Sequence, residues 1–306
     1  MTRLEIEAFL LIVKMGSISQ AAQKMFITQP ALSRRVAILE AELGYEVFIR
    51  AKGIRNVELT PAGQAFIPIA QKWMRVYQEA LDLQEVNKLV PLRIGAVSSV
   101  GTYILPEVLQ EYKRRSKDSR LEYRDYRSLE AYAAIENGFV DLAIISDVTY
   151  DKNVQTRLLF QEKMVLIAGK TGSLPKQVKA EDLDATREIR LPWYPEYELW
   201  HDHLFGSKAQ TSVLLDQMYM LEYFILNKGV WAIVPSTAAI SLQKKLPVQV
   251  VELKNGPPER SIYCLSNYQA LGKQHELFFK LLRQAISHVT GISIANATFP
   301  AGKIEL

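Results

Sequence analysis

Two short helices joined by a tight turn are predicted near the N-terminus, and this pair constrains the fold more than any other feature of the chain. The first helix should begin after Ser17, whose hydroxyl can cap it, and the small residues Ala21 and Ala22 allow another helix to approach closely. The second should begin after Thr28, with Pro30 in its first turn, where a missing N–H costs nothing. This arrangement is a helix-turn-helix, which makes DNA the leading candidate partner.

The second of these helices is predicted to have one buried and one exposed side. Its apolar residues fall on a single stripe at helical spacing, namely Leu32, Val36, Leu39 and Leu43. Gln29, Ser33 and Arg34 stay outside that stripe, near the start of the helix. Glutamine can pair with adenine, serine with base edges or phosphate, and arginine with guanine or phosphate. The alternative is an ordinary polar surface helix.

A short hairpin is predicted after the helix pair. Residues 46–50 and 56–59 are typical of two short strands around the turn at Lys52 and Gly53. Arg50, Lys52 and Arg55 would then lie on one hairpin, where cations contact the phosphate backbone or enter the minor groove. The alternative is a solvated basic loop.

The run from Gly16 to Arg50 resembles the N-terminal domain of LysR-type transcriptional regulators. The residues that carry this resemblance are Ser17, Ala21-Ala22, Gln29-Pro30-Ala31-Leu32-Ser33-Arg34, Leu39-Glu40, Leu43-Gly44, Phe48 and Arg50. Thr28 stands where the family more often has serine, and Met25-Phe26 replaces a more usual pair that contains leucine. The resemblance implies a winged helix-turn-helix with DNA-binding residues at Thr28, Gln29, Pro30, Ser33 and Arg34, and further contacts from Arg50, Lys52 and Arg55.

A long helix is predicted after the hairpin, with Thr60 as its cap and Pro61 in its first position. It carries a heptad seam of Phe66, Ile69, Trp73, Val76, Ala80 and Leu83. Such a seam suits pairing with the same helix of a second chain, and packing against this chain's own core is the alternative. Paired copies would read an inverted repeat. The resemblance also implies a linker helix that dimerises, in an assembly of two or four chains.

From Pro91 onward, short apolar runs alternate with amphipathic segments, which is typical of α/β organisation. Buried strands are predicted at 92–97, 142–145, 164–168, 230–234 and 262–265. Helices are predicted at 106–115, 129–137, 218–227 and 275–288.

This second region resembles the effector domain of the LysR family, a two-lobed α/β unit like that of periplasmic solute-binding proteins. The resemblance rests on Ile94-Gly95, Ser98-Ser99, Leu105-Pro106, Gly138 with Asp141-Leu142-Ala143-Ile144, and Gly229 with Val234-Pro235. It implies a first lobe of residues 91–162 and 268–306 and a second lobe of residues 163–267.

The candidate effector site lies between those lobes. Ser98 and Ser99 fall where a strand ends and a helix begins, so hydroxyls and free N–H groups would meet a small carboxylate or another anion. Ser128 starts the next helix and, in the family's arrangement, faces the same cleft. Tyr194 and Tyr197, in an aromatic stretch of the second lobe, could line the opposite wall. For the serines, helix capping is the alternative, and for the tyrosines it is packing within their own lobe.

Several functional classes are disfavoured. His201-Asp202-His203 has the wrong spacing for a metal pair on a helix, and the sequence contains no P-loop, dinucleotide fingerprint, zinc ligand pairs or nucleophile elbow. We therefore expect no catalytic residues, no metal and no cofactor. The sole cysteine, Cys264, excludes an intrachain disulfide, which fits a reducing compartment.

Composition and charge are consistent with these predictions. The 306 residues are 48% hydrophobic and carry a net charge of +4, so the cations that bind DNA must be concentrated locally. The chain begins with an amphipathic helix rather than a signal segment, and no apolar run is long enough to span a membrane. The expected location is therefore the cytoplasm.

The sequence thus predicts a DNA-binding domain at 1–59, a linker and dimerisation helix at 60–90, and an effector-binding domain at 91–306. The predicted function is a transcription regulator that binds an inverted-repeat operator and responds to a small molecule, with RNA polymerase as a further partner. The alternative is a two-lobed solute-binding protein or enzyme with an accessory helix-turn-helix.

Overall fold

The computed structural model describes residues 1–49, 57–82, 91–170, 175–267 and 273–295. The chain divides into two compact units, Met1–Lys88 and Leu89–Leu306, and each is described by itself. Arg50, Lys52 and Arg55, the predicted basic residues of the hairpin, lie outside the described residues.

Four helices make up most of the first unit in the ranges that the structure describes. These are α1 (Arg3–Met15), α2 (Ile18–Lys24), α3 (Gln29–Leu43) and α4 (Pro61–Asp82). An isolated antiparallel bridge joins Phe48 to Leu59, where the two sides of the hairpin were predicted. The unit's core is formed mainly by buried side chains of α1, α2 and α3.

Local capping accounts for the boundaries of α2 and α3. The Ser17 hydroxyl accepts a hydrogen bond from the backbone N–H of Gln20 at 3.4 Å, and Thr28 accepts one from Ala31 at 3.4 Å. Both predicted caps are therefore confirmed, because each hydroxyl satisfies an N–H that lacks a partner within its helix. Gly44 ends α3 in the left-handed conformation, at φ 77°.

A buried carboxylate connects α3 to the segment that follows it. Glu40 is 7% exposed, and its Oε1 accepts hydrogen bonds from the backbone N–H groups of Val47, at 2.9 Å, and Phe48, at 3.3 Å. Hydrogen bonds to an ionised acceptor are stronger than neutral ones. This carboxylate therefore fixes Val47 and Phe48 against α3.

The predicted seam on α4 is divided between this unit's core and the surface. Phe66 is 2% exposed and its ring lies 5.1 Å from that of Phe9, so the expectation that Phe66 faces a second chain is wrong. Ile69 and Val76 are exposed, at 54% and 55%. Leu83, at the end of the seam, lies outside the described residues. The first turns of α4 pack on the core because Phe66 faces α1.

The described residues of the second unit form twelve short strands. They are β1 (Pro91–Ala96), β2 (Arg120–Asp125), β3 (Leu142–Ile145), β4 (Gln155–Glu162), β5 (Met164–Gly169), β6 (Gln177–Lys179), β7 (Ile189–Arg190), β8 (Val213–Leu214), β9 (Trp231–Pro235), β10 (Val248–Lys254), β11 (Arg260–Ser266) and β12 (Ile292–Ile294). They form a six-stranded sheet in the order β12-β4-β11-β3-β1-β2, a four-stranded sheet in the order β6-β10-β5-β9, and the pair β7-β8.

Seven α-helices accompany these strands within the same described ranges. They are α5 (Ser98–Tyr103), α6 (Leu105–Arg115), α7 (Ser128–Glu136), α8 (Pro195–Phe205), α9 (Leu221–Phe224), α10 (Ser236–Lys245) and α11 (Lys273–Ser287). We call the six-stranded sheet with its helices the first lobe, and the four-stranded sheet with its helices the second lobe. The two sheets confirm the predicted α/β organisation in two lobes.

The chain passes between the lobes twice, after β4 and again before β11. Because β11 pairs with β3 and β4, it belongs to the first lobe, and the expectation that all of residues 163–267 belong to the second lobe is wrong. Apolar composition alone cannot tell which sheet a buried strand joins. The helix predicted at 218–227 is also different, because a 3₁₀ turn at Met218–Met220 precedes the four residues of α9.

We expect Glu40→Ala to lower the free energy of unfolding by about 2–4 kcal/mol, because two backbone N–H groups lose their buried acceptor. Chemical denaturation of the full chain measures this loss. Glu42→Ala, which removes from the same helix an exposed carboxylate that pairs with the N-terminal ammonium, should change the stability by less than about 1 kcal/mol. Equal effects from both variants would contradict a structural role for the Glu40 bonds.

Candidate DNA-binding surface and interlobe cavity

The start of α3 forms an exposed polar tip. Thr28, Gln29, Pro30, Ser33 and Arg34, all predicted to bind DNA, are all solvent-exposed. The hydroxyl of Ser19 donates a hydrogen bond to the side-chain oxygen of Gln29 at 3.1 Å, which holds the glutamine at the first turn of the helix. Four side chains that can bond bases or phosphates, and the apolar ring of Pro30, therefore lie together at one helix end.

The charge around this tip has one sign. Residues 8–39 contain no aspartate or glutamate, whereas Lys14, Lys24, Arg34 and Arg35 are cations. Lys14, Lys24 and Arg34 are also solvent-exposed. A surface of this kind attracts a polyanion through local charge, although the net charge of the whole chain is modest.

A cavity of about 350 Å³ lies between the lobes of the second unit. Residues from both lobes line it, namely Val97, Ser98, Ser99, Asp125, Tyr126, Arg127, Ser128, Ser146, Asp147, Leu191, Pro192, Trp193, Asp216, Gln217, Met218 and Arg260. The structure therefore brings together the three serines of the predicted effector site.

Two of these serines also bond to protein groups. The Ser99 hydroxyl accepts a hydrogen bond from the Arg260 guanidinium at 2.7 Å. The Ser128 hydroxyl accepts bonds from the backbone N–H groups of Ser146, at 3.3 Å, and Asp147, at 3.2 Å. Ser98 is half-buried at the start of α5 and lines the cavity.

Tyr194 and Tyr197 do not line the cavity and belong to the core of the second lobe. Tyr194 is 4% exposed and its hydroxyl donates to the carbonyl of Pro258, whereas Tyr197 is fully buried and donates to Glu188 at 3.4 Å. Burial raises the pKa of the Tyr197 hydroxyl well above its ordinary value. The expectation that these tyrosines line the cavity is wrong, because Tyr194, just before α8, and Tyr197, in its first turn, both pack into the core of their own lobe.

Trp193 provides the aromatic wall instead. Its indole ring lies 5.3 Å from the guanidinium carbon of Arg260, and its Nε1 donates to the carbonyl of Ile233 at 2.9 Å. A cation over an indole face is a favourable electrostatic contact. The ring is thus fixed between the arginine and β9.

Arg260 and Glu162 form a buried ion pair beside the cavity, and no local sequence pattern predicts it. Their side chains are 3% and 0% exposed, and the nitrogen–oxygen distance is 3.3 Å. Thr237, in the first turn of α10, donates to the same carboxylate through its backbone N–H at 3.3 Å and its hydroxyl at 2.7 Å. Burial raises the pKa of Glu162, while Arg260 opposes that rise.

Asp147 lines the cavity, and one of its carboxylate oxygens is buried. Its buried Oδ1 has no hydrogen-bond partner within the part of the chain that the structure describes. Burial raises the pKa of Asp147, and the charge of Arg260 opposes the increase. Asp125 and Asp216 also line the cavity, so its lining contains three carboxylates and two arginines. The arginines are Arg127 and Arg260, and Arg260 is bonded to Glu162.

Comparisons with known proteins assign both units. Residues 4–64 match the helix-turn-helix family of bacterial regulatory proteins of the lysR type, and residues 91–287 match the LysR substrate binding domain. The chain belongs to the LysR family. It is a DNA-binding transcription regulator with an effector-binding domain, and its relatives are regulators rather than enzymes.

Two relatives and one solved structure illustrate the likeness. The regulator HdfR of Yersinia enterocolitica is 25% identical over 279 residues, covering 88% of this chain and 93% of HdfR. The uncharacterized regulator MJ0300 of Methanocaldococcus jannaschii is 28% identical over 185 residues, covering 60% of this chain and 62% of that protein. Full-length CbnR in complex with its target DNA has the same fold, with a TM-score of 0.68, 16% identity, and coverage of 93% of this chain and 100% of CbnR.

The two histidines of the His201-Asp202-His203 run in this LysR-family regulator differ in exposure. His201 is fully buried, with its Nε2 2.7 Å from a Glu188 carboxylate oxygen, whereas His203 is exposed. Burial raises the pKa of the Cys264 thiol to about 12. Among the described residues, none of the helices combines the length and the hydrophobicity that a membrane-spanning segment needs.

We expect Asp147→Asn to raise the melting temperature at pH 7, because the fold holds this carboxylate desolvated with a raised pKa. The wild-type protein recovers stability as the pH falls through that raised pKa and the carboxyl group becomes neutral. The advantage of the variant should therefore shrink toward pH 4. Thermal unfolding between pH 4 and pH 8 measures it, with the exposed Asp118→Asn as control. A difference independent of pH would contradict the desolvation of Asp147.

Proposed function

We propose that this LysR-family regulator binds an inverted-repeat operator through paired copies of the α3 tip. The observation that carries the proposal is the exposed set at Thr28, Gln29, Pro30, Ser33 and Arg34, on a stretch without carboxylates. The first turn of a recognition helix lies in the major groove, where such side chains reach base edges. Arg50, Lys52 and Arg55 would add phosphate or minor-groove contacts from the hairpin.

We propose that dimerisation places the two tips on one face of the DNA. The exposed part of the α4 seam, Ile69, Val76 and Ala80, supports this role, because apolar residues at heptad spacing are unfavourable in water. In the proposed domain organisation, residues 1–59 bind DNA and residues 91–306 bind the effector. Residues 60–90 link these two domains and dimerise. A homodimer or homotetramer acting in the cytoplasm, where it meets DNA and RNA polymerase, follows from the same proposal.

The interlobe cavity is the proposed effector site. Its polar lining suits a small molecule with a carboxylate toward Ser98, Ser99 and Arg260, and with hydroxyl or amino donors toward the aspartates. A bound ligand would contact both lobes and favour one relative packing of them. The resulting change in the assembly would alter how the paired DNA-binding domains engage the operator.

We expect Gln29→Ala to weaken operator binding by roughly 1–3 kcal/mol while binding to random duplex is unchanged, since a base contact is lost and no phosphate contact changes. Operators are first selected from a random duplex library with the full-length protein. Fluorescence anisotropy then compares specific and random DNA at fixed salt concentration. Equal losses on both would show that Gln29 does not contact a base.

We expect Ser98→Trp to abolish ligand binding without weakening operator binding, because the indole would occupy the cavity. Small carboxylic acids with and without hydroxyl or amino groups are tested for a saturable rise in melting temperature of the wild-type protein. Ser207→Trp, at an exposed position of the same unit, is the matched control. A ligand that still stabilises the Ser98 variant would bind elsewhere.

A further inference from the structure

Phe26, in the turn between α2 and α3, is an aromatic residue held at the surface. Its side chain is 95% exposed, whereas the neighbouring Met25 and Ile27 are half-buried and pack against the core. No ring contact or side-chain hydrogen bond involves Phe26 within the described residues. The ring therefore contributes no packing to the fold of this unit.

The backbone at Phe26 is also unfavourable for a phenylalanine. Its φ is +56°, in the left-handed region that glycine and asparagine adopt most readily. The N–H of Phe26 donates to the carbonyl of Gln23 at 3.1 Å, and that of Ile27 donates to Ala22 at 3.1 Å. These two bonds form a Schellman motif at the end of α2, with phenylalanine where glycine is usual.

The surroundings of Phe26 point to a polyanionic partner. Lys24 is exposed on one side of it and Thr28 and Gln29 are exposed on the other, within the stretch that contains no carboxylate. A docking protein would meet an isolated apolar ring among polar and cationic groups. In the major groove, by contrast, such a ring finds an apolar surface on the 5-methyl group of thymine, next to the phosphates.

We propose that Phe26 is a specificity-determining residue that packs against a thymine methyl group in each half-site of the operator. The proposal rests on the proposed function of the α3 tip. A residue whose conformation and exposure are both unfavourable in the free protein would be compensated when DNA covers it. Phe26 would then discriminate thymine at the edge of the sequence that Gln29 and Arg34 contact.

The test uses the full-length protein and operators selected from a random duplex library by the wild-type chain. The variants are Phe26→Gly, Phe26→Ala and Phe26→Leu, with Gln29→Ala as a control for the α3 tip. Each thymine of the operator is replaced in turn by uracil, which removes only the methyl group. Affinities are measured by anisotropy at fixed salt concentration, and melting temperatures by calorimetry.

We expect Phe26→Gly and Phe26→Ala to weaken operator binding roughly five- to tenfold, the scale of one lost base contact. Phe26→Leu should retain part of the affinity, and Phe26→Gly should raise the melting temperature. In the wild type, uracil at one position per half-site should weaken binding, and the same change should have no effect in Phe26→Ala. A purely structural role would instead lower the melting temperature and leave uracil sensitivity unchanged.

Any of the following results would overturn the proposal for Phe26. Operator binding by Phe26→Ala as tight as that of the wild type, while Gln29→Ala binds weakly, would remove Phe26 from the interface and leave the proposed function intact. Wild-type-like binding by both variants, or a library from which no sequence is selected, would overturn both proposals. A changed oligomeric mass of Phe26→Ala with unaltered DNA binding would assign the ring to a protein interface.

Discussion

The buried ion pair between Glu162 and Arg260 is the constraint on which the second unit depends. The two residues are register partners at adjacent ends of β4 and β11, where the chain leaves the first sheet and where it returns. Ser99 from the first lobe and Thr237 from the second both bond to the pair. Removing one member of a buried pair leaves an uncompensated charge, so neither residue can be replaced alone without a large loss of stability. The pair therefore fixes the charge beside the cavity and joins elements of both lobes.

Local features of the fold could be predicted from the sequence because their causes lie within a few residues. Ser17 and Thr28 cap helices through bonds to N–H groups three residues away, and the apolar stripe from Leu32 to Leu39 faces the core. The buried strands were likewise visible as short apolar runs, of which Leu142–Ile145 is an example. The exposure of Gln29 also followed from helical spacing alone.

Features that depend on distant partners could not be predicted in this way. Phe66 fits a heptad seam, but Phe9 lies close enough to bury it. Tyr197 occupies a position suitable for a cavity wall, yet α8 packs it into its own lobe. Arg260 and Glu162 are nearly one hundred residues apart, and no local pattern indicates that the two meet. Periodicity shows which side chains avoid water, and only the tertiary structure decides what covers them.

The α3 tip has an evolutionary consequence. Side chains that can contact bases project from positions that bury little surface, whereas the helix is held by Leu32, Leu39 and the Glu40 carboxylate on its other side. Substitutions at exposed positions usually change stability by less than about 0.5 kcal/mol. Under the proposed function, single substitutions at Gln29 or Ser33 would give new operator preferences in a scaffold that tolerates them, which would allow duplicated genes of this kind to diverge in target while keeping one architecture.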